Sequence, residues 1–132
     1  MRSLIRFIGC LFILLILVGC GGSTSQRIQD RILGKWRMVR ILDNQNREVP
    51  LHSESEGSQI YEYFADGTFT MGSERMAMYE SPIHGTYTLS DNGQMRSRGV
   101  FVDWTLSEVS IEGDRLFNKR ADGFTIIFQR ER

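Results

Sequence analysis

Few side chains in this 132-residue sequence are equipped for covalent or metal chemistry. The cysteines are Cys10 and Cys20, both within the first twenty residues, and the histidines are His52 and His84. His52 sits in a polar stretch beside Pro50, and His84 opens an apolar-polar alternation, so loop polarity and strand-edge exposure account for both. A histidine pair without a neighbouring acidic cluster falls short of the four-donor set that zinc takes, although both histidines are expected toward the same end of the fold. No G-x-S-x-G elbow, cysteine nucleophile or glycine-rich phosphate loop is present. The sequence therefore predicts a protein that is not an enzyme and that carries neither metal nor cofactor.

Cys20 stands apart because of what precedes it. Arg2 and Arg6 form a short positive region, and LFILLILV (residues 11–18) follows as an apolar run closed by Gly19, Gly21 and Gly22. From Leu4 to Val18 the run is shorter than the roughly 18 residues expected of a spanning helix. That layout is a secretory signal, the alternative being an uncleaved anchor helix. Leu17-Val18-Gly19-Cys20 resembles the bacterial lipobox, whereas Cys10 lacks both the run and the residue three places before it. The resemblance implies a diacylglyceryl thioether on Cys20, cleavage after Gly19 and acylation of the new amino terminus. Several acyl chains anchor stably where one binds marginally. With Gly21 rather than aspartate after the cysteine, the resemblance points to the outer membrane, facing the periplasm.

Three regions follow: a cleaved signal over 1–19, a lipidated cysteine and flexible tether over 20–26, and one small domain over 27–132. Loss of Arg2 and Arg6 turns the balance of 16 basic and 16 acidic residues slightly acidic. A nucleic-acid binder needs the opposite. Once Cys10 is removed and Cys20 is lipidated, no thiol pair is left, and the domain holds together without a disulfide.

Within 27–132, eight segments alternate as strands do. They lie near 35–42, 59–64, 68–72, 84–89, 94–98, 100–106, 109–118 and 123–130. SEVSIEGDRLFN (residues 107–118) is better read as the end of the sixth strand turning at Glu112-Gly113-Asp114 into the seventh. Asp66-Gly67, Asp91-Asn92-Gly93 and Asp122-Gly123 mark further tight turns. Consecutive hairpins predict an all-β, eight-stranded antiparallel up-and-down meander that closes into a barrel and so removes its edges. The long connections over 43–58 and 73–82 fall on one end, which leaves it open. Most tight turns fall on the other. QRIQDRIL (residues 26–33) predicts a short helix that plugs the pinched end, with Ile28, Ile32 and Leu33 on one side. Arg27, Arg31 and Lys35 lie on the other, as solvated charge or as a face for anionic headgroups.

Gly34-Lys35-Trp36, after a short helix and opening the first strand, resembles the G-x-W signature of lipocalins. YFADGTFT (63–70), GTYTL (85–89), WTL (104–106) and FQR (128–130) resemble, in order, the small bacterial lipocalin-like lipoproteins. The likeness spans roughly 32–132, but the chain is shorter than a typical lipocalin and lacks its long C-terminal helix. The resemblance implies that a cation from the last strand packs across the tryptophan, which makes Arg130 the candidate. Closure of the meander leads to the same pair, since it makes the first and last strands neighbours.

Alternation assigns the interior. Trp36, Met38, Arg40 and Leu42 share one side of the first strand, and Ile60, Glu62 and Phe64 one side of the second. Phe69, Met71, Tyr87, Leu89, Trp104, Leu106, Ile126, Phe128 and Arg130 continue it. Eight strands leave a lumen either just filled or able to hold one small ligand, and a filled or nearly filled barrel is the first expectation. Arg40 and Glu62, inward on adjacent strands, would pair because an unpaired buried charge is too costly; Arg40 could instead meet a ligand anion near the mouth. The candidate ligand pocket is thus Arg40, Glu62, Tyr87 and Trp104. Met76, Met78 and Tyr79 form an adaptable apolar group at the open end. Two functions fit: a lipid-anchored envelope module binding a small apolar or lipid-like ligand, or a filled barrel that contacts an envelope protein through its open-end loops.

Overall fold

A computed structural model of the chain describes residues 27–51, 59–73, 81–99 and 105–132. One short helix, α1 (Ile28–Ile32), precedes eight strands: β1 (Gly34–Leu42), β2 (Gln59–Tyr63), β3 (Thr68–Ser73), β4 (Ile83–Leu89), β5 (Gln94–Gly99), β6 (Thr105–Glu112), β7 (Arg115–Arg120) and β8 (Thr125–Arg130). Each strand pairs antiparallel with the next, and β8 pairs with β1, so the meander closes into the barrel that the turn spacing required. The sixth and seventh strands divide at Gly113-Asp114, as the Glu112-Gly113-Asp114 turn predicts. The predicted strand residues 100–104 lie outside the described residues.

The turns follow from their residues. Gly67, Gly93, Gly113 and Gly123 all hold positive φ at hairpin ends, where a Cβ is strained. At Gly93 a side chain would also meet the Val109 carbonyl oxygen at 2.4 Å. Asp66 reinforces the β2–β3 turn by accepting from the Thr68 backbone N–H at 2.9 Å, the local bond that suits Asp to turns.

A helix of five residues cannot stand alone in water, since nucleation fixes several residues for one hydrogen bond. Here α1 is held by its carbonyl end, the groups a helix leaves unsatisfied. The Trp36 indole Nε1 donates to the Ile32 carbonyl at 2.7 Å. Arg130 donates Nη1 to the Leu33 carbonyl at 3.0 Å and Nη2 to that of Arg31. Its guanidinium lies 4.1 Å from the Trp36 ring centroid, in register with it across the β1–β8 pair. Arg31 Nη2 reaches the Ile111 carbonyl at 2.8 Å, and Gln29 Nε2 the Leu89 carbonyl at 3.1 Å and Asp91 Oδ1 at 2.8 Å. The helix is thereby fastened across the tight-turn end, with Ile32 fully buried beneath it. Arg31 and Lys35 are accordingly engaged with the protein, Lys35 Nζ standing 3.9 Å from Glu62.

The core divides the barrel lengthwise. Trp36, Met95, Ile111, Leu116 and Ile32 fill the plugged half, all in the buried cluster. Replacing Arg130 by Met removes a cation–π contact and two charge-assisted bonds to helix carbonyls. Chemical denaturation is expected to show a loss of about 2–4 kcal/mol, and Arg130→Lys, which cannot bridge two carbonyls in one plane, recovers less than half of it.

Candidate functional site

Inward positions on the open half are small or polar on one wall and aromatic on the other. Met95, Ser97 and Gly99 point inward along β5, and Thr105 and Ser107 follow on β6, so side-chain volume falls toward the mouth. Facing them are Tyr61 and Tyr63 from β2, Phe69 from β3 and Phe128 from β8. A cavity of about 290 Å³ lies between these walls, with Met71, Ile83, Asn118, Arg120 and Ile126 completing its lining. That stands at the lower edge of the about 300–1,000 Å³ typical of small-molecule sites. Among the described residues, large side chains fill one half of the lumen and leave the other open, because β5 and β6 supply Ser, Gly and Thr there.

The aromatic wall is mutually supported. The Tyr61 ring meets Phe128 edge-on at 5.1 Å and stacks at 6.3 Å on Phe69, while Tyr63 lies edge-on to Tyr87 at 5.1 Å. Such contacts hold rings in place and so preform the site. Burial pushes the Tyr61 hydroxyl above its ordinary 10.0, with the charge of Arg120 pulling against it. Tyr63 is raised by burial, then by its tyrosine neighbours.

Two polar groups enter this lumen from β7. Asn118 carries an Oδ1 that is buried with no hydrogen-bond partner among the described residues. Arg120 borders the cavity two residues further along, its Nη2 bonded to Asp122 Oδ2 at 2.7 Å with both side chains 45% exposed. The sequence reading did not assign either residue to the interior. Their signal was their phase with Leu116, which the turn at Gly113 sets.

The predicted pocket residues fare differently. Arg40 does not face the lumen: β1 shifts register between Met38 and Arg40. One extra residue in a strand turns everything beyond it to the opposite face. Ile41 packs inward in its place, and Arg40, 53% exposed, pairs with Glu48 at 3.4 Å. Glu62 is also corrected. Tyr61 and Tyr63 take the inward frame of β2, leaving Glu62 beside Lys35 on the outside and Ile60 with it. A one-residue change of frame moves the whole set, and this frame buries two rings and no carboxylate. No Arg40–Glu62 pair forms.

Tyr87 is buried, but its hydroxyl donates to the Phe64 carbonyl at 2.8 Å and it borders a groove beside α1 rather than the cavity. Phe64 is 37% exposed and Leu106 55%, so neither is interior. His84 is exposed on β4. Cys20, His52, Met76, Met78, Tyr79 and Trp104 lie outside the described residues. Gly34, Trp36 and Arg130 form the clasp at the plugged end, remote from the mouth.

Among the described residues, fold and lumen together define a closed antiparallel barrel, plugged at one end and hollow toward the other. No protein-family model matches the sequence, and no curated protein matches it. Among solved structures, the fold is similar to that of a DUF4847 family protein from Bacteroides vulgatus ATCC 8482. The TM-score is 0.53 at 12% identity, over 74% of this chain and 92% of that one. At that identity the likeness is one of fold.

An acceptor buried without a donor costs about 1–3 kcal/mol. Asn118→Leu is therefore expected to stabilise the barrel by about 1 kcal/mol, as a raised midpoint in urea with an unchanged slope. A loss of stability would mean that the amide is satisfied in solution.

Proposed function

We propose that the protein is a lipid-anchored, lipocalin-like module of the bacterial cell envelope that binds a small apolar or lipid-like molecule in its barrel and catalyses no reaction. The observation that carries this reading is the preformed cavity of about 290 Å³ with its aromatic wall. Binding to a preformed site avoids ordering costs that a collapsing pocket incurs. The lipocalin-like part is supported by Gly34-Lys35-Trp36 opening β1 with Arg130 laid across the ring. The anchor rests on the lipobox resemblance at Cys20, and the outer-membrane, periplasm-facing location on Gly21 following it.

Native mass spectrometry of the protein extracted from the envelope tests the binding. A defined extra mass, lost on denaturation, is expected. A bare protein mass that takes up nothing from a lipid mixture turns attention to open-end loops acting on a protein partner. The anchor is tested separately: Cys20→Ser is expected to abolish palmitate labelling and leave the signal uncleaved, while Cys10→Ser changes neither.

A further inference from the structure

A second hollow lies on the outer wall. A groove of about 290 Å³ runs between Val39 and Arg40 of β1, Ile127 and Gln129 of β8 and Arg115 of β7. Arg115, Ile127 and Gln129 alternate with the buried Leu116 and Phe128, so the sheet itself separates this groove from the lumen. The β1 bulge shapes it. Val39 has no partner in the β1–β8 register, and it stands exposed next to Arg40 instead of alternating with it. Bulges re-aim side chains in this way beside functional sites. With Val39 left 45% exposed, it and Ile127 form an apolar floor flanked by two guanidinium groups.

Those two groups are incompletely matched. Arg40 meets Glu48 through Nε at 3.4 Å, with both side chains more than half exposed, and exposed pairs of this kind hold weakly. Among the described residues Arg115 is in no ion pair, and its cross-strand neighbour Glu112 does not line the groove. Nearby Arg37 is bonded to Glu131. Two guanidinium groups against one carboxylate leave one positive charge, the complement of a single phosphodiester.

The groove also lies at the end where the chain comes from its anchor. Arg115 opens β7 and Gln129 is one residue short of the end of β8, so both stand at the plugged end beside α1. Arg27 precedes α1, and Cys20 is seven residues before it. Seven residues span at most about 25 Å, which holds this end near the headgroups of the bilayer carrying an acylated Cys20. Arg31 and Lys35, the cations expected to meet those headgroups, are engaged with the protein instead.

We infer that this groove binds the headgroup of an anionic glycerophospholipid in the membrane that holds the anchor. The phosphodiester sits between Arg40 and Arg115, and the glycerol and first methylenes rest on Val39 and Ile127. Gln129 supplies an amide for a headgroup hydroxyl. The inference rests on the lipid anchor proposed above and is independent of what the lumen binds. A zwitterionic headgroup would bring its ammonium against the same two cations. A protein partner buries far more surface than this groove offers.

The test is methyl NMR of the full-length, isoleucine-labelled protein in phosphatidylcholine nanodiscs, with phosphatidylglycerol replacing the host lipid stepwise. Ile127 borders the groove, its neighbour Ile126 lines the lumen, and Ile60 lies outside on β2. The Ile127 methyl should shift and saturate while Ile126 and Ile60 stay in place, and those two also report that each variant is folded. Arg115→Met and Arg40→Met should each raise the phosphatidylglycerol fraction at half-shift about 5-fold. Lys119→Met removes an equal charge opposite Glu108, away from the groove, and should leave that fraction unchanged. Inorganic phosphate added to phosphatidylcholine discs should not move Ile127. The inference is overturned if Ile127 does not respond, if Lys119→Met acts as strongly as Arg115→Met, or if phosphate alone reproduces the shift. Retention on phosphatidylcholine discs through gel filtration reads the anchor by itself. Retention without an Ile127 response refutes the groove and spares the anchor, whereas loss from those discs refutes both.

Discussion

The guanidinium of Arg130 meets two needs that arise independently. A closed barrel must join its last strand to its first, and a five-residue helix must place its carbonyl oxygens somewhere. Arg130 lies in register with Trp36 across the closing pair of strands, stacks on the indole, and donates to the carbonyls of Arg31 and Leu33 while Trp36 takes that of Ile32. Closure and plug are therefore one interaction. Without the cation, three helix carbonyls lose two of their donors, and the indole loses the charge that covers its face. The helix has too little internal bonding to survive that on its own.

Sealing one end by this clasp frees the other. The largest fully buried side chains, Trp36, Met95, Leu116, Phe128 and Ile32, lie toward the plug or at the cavity floor. Beyond them the wall thins to Ser97, Gly99, Thr105 and Ser107. The result is a division of labour along the barrel axis, with packing at one end and space at the other. The buried Asn118 acceptor belongs to the hollow half.

Much of this architecture is written locally. Each Asp-Gly or Asn-Gly turn names its own hairpin, and a run of hairpins leaves closure as the way to remove two edges. The Trp36–Arg130 pair follows from the meander, because the first and last strands must meet at the end where the helix sits. Which side chains face inward is less legible. The register shift after Met38 has no turn residue to announce it, and it alone moves Arg40 outside. In QIYEY both faces look plausible; only the pairing of Tyr63 with Phe69 through the β2–β3 turn fixes the tyrosines inward and Glu62 outward. The cavity was hidden for a related reason. It comes from small residues on β5 and β6, whose inward phase depends on where the sixth strand ends.

The most direct test follows from the methionines. Met71 lines the cavity, whereas Met95 is buried in the plugged half and does not. Methyl-labelled methionine in the full-length protein gives one resonance for each, and titration with decanoate reads both halves at once. The account predicts that the Met71 methyl shifts and saturates while the Met95 methyl stays in place. A shift at Met95 with Met71 unmoved would put the binding site at the plug and contradict the division of the barrel into a sealed half and an open one.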